Sequence, residues 1–173
     1  MKTERLRTIG LCALSCALLL SNCKFEAPLV AEDSVPIDPK VLGLWELIPD
    51  EGDDPERMMV LPFSRTEYLI HYPIGERAFY FRGYPIEVGG ISCVQIRAVG
   101  TVEGPLDADE TALYDVVTYQ LQGDKLTVRT LNTDVVRQDL ADPASLQRAF
   151  LENAENPNLF AAPGMFKKVP AAP

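Results

Sequence analysis

The chain holds one histidine, His71, and four cysteines, at positions 12, 16, 23 and 93. Nucleophilic hydrolysis needs an ordered base beside a serine or cysteine. His71 stands between Ile70 and Tyr72 in an alternating run, on the opposite side from Tyr68, Ile70 and Tyr72. No Gly-x-Ser-x-Gly motif accompanies it, so it reads as a surface residue of a strand. Zinc needs three or four His, Cys or carboxylate ligands, and no such set is recognisable. Asp50, Glu51, Asp53, Asp54 and Glu56 crowd one loop, and Asp107, Asp109 and Glu110 a second. Oxygen-rich loops hold calcium, but Gly52 falls too early for an EF-hand, and both stretches read as solvated loops. Paired carboxylates for glycoside cleavage must lie about 5–10 Å apart in a cleft, which spacing along a chain does not specify. The expectation is no catalysis, no metal and no bound cofactor.

Cys23 is different, because of what precedes it. Lys2, Arg5 and Arg7 make a positive start, diluted by Glu4, and an apolar run from Ile9 to Leu20 is broken only by Gly10 and Ser15. That run suits a secretory signal and falls short of the roughly 20 residues that span a bilayer. Ser21 and Asn22 close it, and Cys23 follows. Leu20-Ser21-Asn22-Cys23 resembles the lipobox of bacterial lipoproteins, with Asn22 where that pattern has Gly, Ala or Ser. The resemblance implies cleavage after residue 22, with diacylglycerol and an N-acyl chain, palmitate among the usual acids, carried covalently by Cys23. Several chains on one residue hold well, since each buried methylene contributes about 0.8 kcal/mol. Cys16, reached through Ala13-Leu14-Ser15, has too short an apolar run before it. An ordinary signal peptide with an incidental Cys23 is the other reading. Lys24 rather than an aspartate after the cysteine resembles outer-membrane sorting, which places the domain in the periplasm.

Charge and cysteine use agree with this address. The formal net charge is −9, and residues 1–22 carry three basic and one acidic side chain, leaving the remainder more acidic still. An acidic surface repels phosphate backbones and anionic lipid, so nucleic acid is not an expected partner and any membrane attachment falls to the lipid. Cleavage removes Cys12 and Cys16 and acylation blocks Cys23, leaving Cys93 without a disulfide partner. It lies in Gly-Ile-Ser-Cys-Val-Gln-Ile, a strand-like run that suits a buried structural thiol.

The elements follow from alternation and turn signals. Residues 23–40, with Pro28, Pro36 and Pro39 among four acidic and two basic side chains after Cys23, read as a flexible tether that reaches about 50 Å when semi-extended. The domain is expected over 41–169, with 170–173 as a tail. Strand-like runs occupy 42–48, 58–63, 67–72, 77–88, 91–99, 113–122, 125–131 and 165–169. Gly89-Gly90 and Gly123-Asp124 are hairpin signals. Asp142-Pro143 caps a helix near 143–155, with Leu146, Ala149, Phe150 and Ala154 at helical spacing. Seven or eight strands and one helix predict a mainly β antiparallel meander, closed or half-open as a small barrel, with the helix capping or flanking it.

Gly43-Leu44-Trp45 opens the first strand. A Gly-x-Trp there, before a β-meander and a C-terminal helix, resembles the lipocalin and calycin barrels. The resemblance implies that Trp45 packs at the closed end of the barrel under a basic residue of the last strand, Lys167 or its neighbour Lys168, with Lys167 as the expected packing partner. Tyr68, Tyr72, Phe79 and Phe81 are the candidate ligand-lining residues. Phe79 and Phe81 share one strand face, Tyr80 and Tyr84 the other. A wide barrel makes such a face a pocket for a small apolar ligand, and a narrow one makes it solid core. The expected role is a membrane-anchored structural or assembly module with an envelope protein as partner. The alternative is a carrier of a small apolar molecule.

Overall fold

The computed structural model describes residues 25–31, 35–49 and 55–170. The signal segment, Cys23 and most of the first acidic loop lie outside the described residues. Eight strands run in chain order: β1 (Gly43–Leu47), β2 (Arg57–Pro62), β3 (Tyr68–Ile74), β4 (Arg77–Val88), β5 (Ile91–Thr101), β6 (Tyr114–Gln122), β7 (Lys125–Thr130) and β8 (Gly164–Lys168). Each pairs antiparallel with the next, and β8 returns to β1 through Leu47↔Phe166 and Trp45↔Lys168. The meander is therefore a closed barrel, which leaves no open sheet edge.

Alternation along the strands sorts the side chains. Trp45, Val60, Tyr68, Tyr72, Phe81, Val94, Ile96, Val117, Leu126 and Phe166 point inward and form one core. The outward face of β4–β6 has a second. There Ile86, Val88, Cys93 and Val116 meet Leu146 and Phe150 of the helix α2 (Pro143–Glu152). Asp142 caps α2 by accepting the Ser145 N–H at 2.9 Å, with Pro143 in the first turn. The helix thus flanks the barrel wall. It crosses above the β4–β5 turn, where Gly89 and Gly90 both have positive φ and a Cβ on Gly89 would lie 2.6 Å from Leu151. A short helix, α1 (Ala108–Thr111), links β5 to β6.

The tether expectation fails for residues 25–31. Phe25, Ala27 and Leu29 are buried, and Phe25 exchanges backbone hydrogen bonds with Tyr114 at 2.7 and 2.8 Å. Gln95, outward on β5, accepts the N–H of Leu29 at 2.6 Å and of Val30 at 3.2 Å and donates to the Val30 carbonyl at 3.3 Å. The segment is a strap fastened to the outside of the barrel. The physical reason is its own alternation: three apolar side chains at every second residue bury against the second core, which outweighs the proline and acidic residues between them.

Candidate functional site

Three places on the barrel carry the residues singled out from the sequence. The first is its interior. Tyr68, Tyr72 and Phe81 line an apolar cavity of about 90 Å³ with Ile70, Val117 and Val128. Phe79 is not on its wall; its ring lies beside that of Phe81, centroids 5.9 Å apart. The polar ends of the tyrosines turn away from this space. Tyr68 Oη accepts the Asp38 N–H at 2.6 Å, and Tyr72 Oη donates to a Glu56 carboxylate oxygen at 2.6 Å. Tyr68 also hydrogen-bonds Tyr119, and burial pushes both phenols above their ordinary pKa. They stay neutral hydrogen-bonding groups at any physiological pH. The cavity falls below the roughly 300 Å³ at which ligand pockets begin.

The second place is the end of the barrel where β1 starts. Trp45 is fully buried, and its Nε1–H donates to the Val41 carbonyl at 2.8 Å. The cation over its ring belongs to Lys168, whose Nζ is 5.0 Å from the centroid and donates to the Lys40 carbonyl at 3.0 Å. Lys167 lies one residue earlier, so it points outward and is exposed. That corrects the expected partner from Lys167 to Lys168. Gly43 explains the first position of the Gly-x-Trp. Its φ is +130°, and a Cβ there would press within 3.2 Å of Lys168 Cε, so glycine gives the lysine stem its path across the barrel end.

The third place is the outer wall of β2 and β3. Met59, Leu61 and Phe63 project outward and are 39%, 42% and 54% exposed. Across the ladder Leu61 faces Leu69 and Met59 faces His71. His71 rests against Tyr80, ring centroids 4.9 Å apart, and among the described residues no acid or nucleophile is bonded to it. Phe63 covers the Arg82 guanidinium, 3.7 Å from its centroid. Met59 and Leu61 on β2, Leu69 on β3 and Phe63 just beyond β2 make the strip mainly apolar, with His71 beside Met59 and Arg82 against Phe63, unlike the polar wall of β7, where Lys125, Thr127 and Arg129 face out.

Among the described residues no group of three or more His, Cys, Asp or Glu side chains could hold a metal, and no helix is long and apolar enough to cross a membrane. An ion pair, Arg77 to Glu110 at 3.4 Å, helps tie the second acidic loop to the barrel. Cys93 is buried, and burial pushes its thiol up to about 12. Sequence reading passed over Gln95 and the buried Asp115 and Thr130, polar residues in apolar runs. It passed over the strap as well. The signal that finds the strap is the alternation Phe25-x-Ala27-x-Leu29. No protein-family model, curated protein or solved structure matches the chain.

Proposed function

We propose that this chain is a lipoprotein of the bacterial envelope, anchored through acyl chains on Cys23, that works without catalysis by holding a protein partner. The anchorage rests on the signal-like segment and the lipobox-like Leu20-Ser21-Asn22-Cys23. Lys24 after the cysteine favours the periplasmic face of the outer membrane. The interaction reading is carried by one observation, the outward strip of Met59, Leu61 and Phe63 on a barrel whose interior is nearly filled. A run of large apolar side chains in water is costly and marks a contact surface when it is continuous. With a net charge of −9, the chain favours a partner whose apolar centre has a basic rim.

The strap changes how such a domain sits. Only Lys24 separates Cys23 from the buried Phe25. An acylated Cys23 therefore brings the barrel wall at Tyr114 close to the lipid surface, and the partner is one that also sits at that surface.

The lipocalin-like alternative, a carrier of a small apolar molecule, draws on the mainly apolar cavity wall. At about 90 Å³ the space is smaller than the roughly 150 Å³ that admits benzene, which favours the interaction reading.

Mass spectrometry of membrane-extracted wild type and Cys23→Ala tests the anchorage: wild type carries the acyl mass and the variant leaves the membrane fraction. A photo-crosslinking residue at Leu61 tests the surface. One discrete adduct is expected in intact envelopes, absent when the same group replaces Thr127. Wild type without added mass would end the lipoprotein reading, and equal crosslinking at both positions would end the interaction reading.

A further inference from the structure

Arg82 and Arg97 stand directly opposite each other on β4 and β5, both on the outer wall. Like charges in that relation destabilise a sheet, and among the described residues one carboxylate pairs with them. Glu67 pairs with Arg82. Arg97 forms no ion pair among the described residues; its guanidinium lies 5.9 Å from the centroid of the Tyr114 ring, and its Nε is buried without a hydrogen bond. Arg82, Glu67 and Arg97 together leave one positive charge, in a chain whose net charge is −9.

That charge faces a built recess. The strap and the outer wall together border a half-open polar recess of about 280 Å³, lined by Glu67, Tyr84, Gln95, Arg97 and Tyr114 with Val30 on the strap side. Gln95 is 5% exposed and committed to the strap, so it fixes the roof and leaves Arg97 as the open donor. A guanidinium presents a planar fork that matches a carboxylate through two parallel hydrogen bonds. Tyr84 and Tyr114 supply flat walls and hydroxyls on either side of it. Glu67, on the wall of the recess and largely buried, repels a second negative charge, which disfavours phosphate and dicarboxylates.

We infer that this recess, formed by the strap and the outer wall of β4–β6, is a binding site for a small monocarboxylate with a flat body, held by Arg97 between Tyr84 and Tyr114. It is separate from the interior cavity and adjoins the strip on β2 and β3 through Arg82, which pairs with Glu67 and lies against Phe63, and it does not depend on the proposed partner.

Isothermal titration of the full chain with sodium benzoate, benzamide and inorganic phosphate tests this. Benzoate is expected to bind saturably at one site and to raise Tm, while benzamide, which has the same ring and no charge, does neither. Arg97→Gln weakens benzoate by at least about tenfold, the equivalent of one charged hydrogen bond. Its own Tm without benzoate is equal to or above that of wild type, because an uncompensated cation has been removed. Arg97→Lys keeps the charge without the fork and gives intermediate affinity. Arg129→Gln, on the outer wall of β7, leaves binding unchanged. No saturation by about 10 mM benzoate, equal binding by Arg97→Gln, or tighter binding of phosphate than of benzoate would each overturn the assignment.

Discussion

Gln95 Oε1 accepts the Leu29 N–H at 2.6 Å, across 66 residues of sequence. One buried amide on β5 thereby holds the strap that follows Cys23. The strap's other attachments, the Phe25–Tyr114 backbone pair and three buried apolar side chains, depend on the same docking. Replacing Gln95 with leucine leaves the Leu29 and Val30 N–H groups without an acceptor. Each buried orphan costs about 1–3 kcal/mol, and the strap escapes part of that by peeling away. Gln95→Leu is therefore expected to lose about 2 kcal/mol, with faster amide exchange concentrated at residues 27–31 and little change in the barrel strands. Exchange in the strap equal to that of wild type would sink this account.

The Trp45–Lys168 contact makes a paired prediction. Lys168→Met keeps an apolar stem across Gly43 but loses the cation over the ring and the bond to the Lys40 carbonyl. A half-exposed cation–π contact with a hydrogen bond is worth about 1 kcal/mol. Lys167→Met changes an exposed side chain and should stay within about 0.5 kcal/mol. Urea unfolding followed by the fluorescence of the single tryptophan measures both. If Lys167→Met costs more than Lys168→Met, the assignment of the barrel-end cation is wrong.

The strands were legible where turn chemistry brackets them. Gly75 on one side and Gly89-Gly90 on the other confine β4 to Arg77–Val88, all three glycines at positive φ, and Asp142-Pro143 announces α2. Facing along a strand was legible too, since alternation alone puts Phe79 and Phe81 on one side of β4 and Tyr80 and Tyr84 on the other. Register was not. Whether Lys167 or Lys168 meets Trp45, and whether Arg82 meets Arg97, depends on how β8 and β5 slide against their neighbours, and one residue of slip reverses every facing. The bulge that drops Val99 out of the β4–β5 ladder is such a slip, invisible in composition. The strap was hidden for another reason: its prolines and acids suit a linker, and its burial depends on a surface assembled from β5, β6 and α2.

The interior cavity invites filling. Val128 lies on its wall and faces Tyr119 across the β6–β7 ladder. Val128→Ile adds one methylene to a space of about 90 Å³ without adding a polar group. Cavity volume costs about 24 cal/mol per Å³, so the variant should gain about 0.5 kcal/mol, read as a rise in Tm. A fall in Tm would mean that this stretch of wall is already packed.

Cys93 supplies the last prediction. The thiol sits on the outer face of β5 beneath Leu146 and Phe150 of α2, 2% exposed. Burial raises its pKa from 9.0 to about 12, because a thiolate there would have no solvent. The folded state thus holds this proton more tightly than the unfolded chain does. The stability tied to the neutral thiol is complete below about pH 9 and is lost as pH rises towards 12. Tyr68 and Tyr119, also shifted upward, add to the same alkaline slope, so the informative quantity is the difference between wild type and Cys93→Ala. Below pH 9 wild type should be the more stable, since the alanine leaves a void beneath α2. Above it the gap should close by at most about 1.4 kcal/mol per pH unit. In the native protein at pH 8 a thiol reagent should label Cys93 only as fast as α2 and the strap open, and Gln95→Leu should speed that labelling. Rapid native labelling, or a gap that stays constant up to pH 11, would show that the thiol is not sealed between the helix and the barrel.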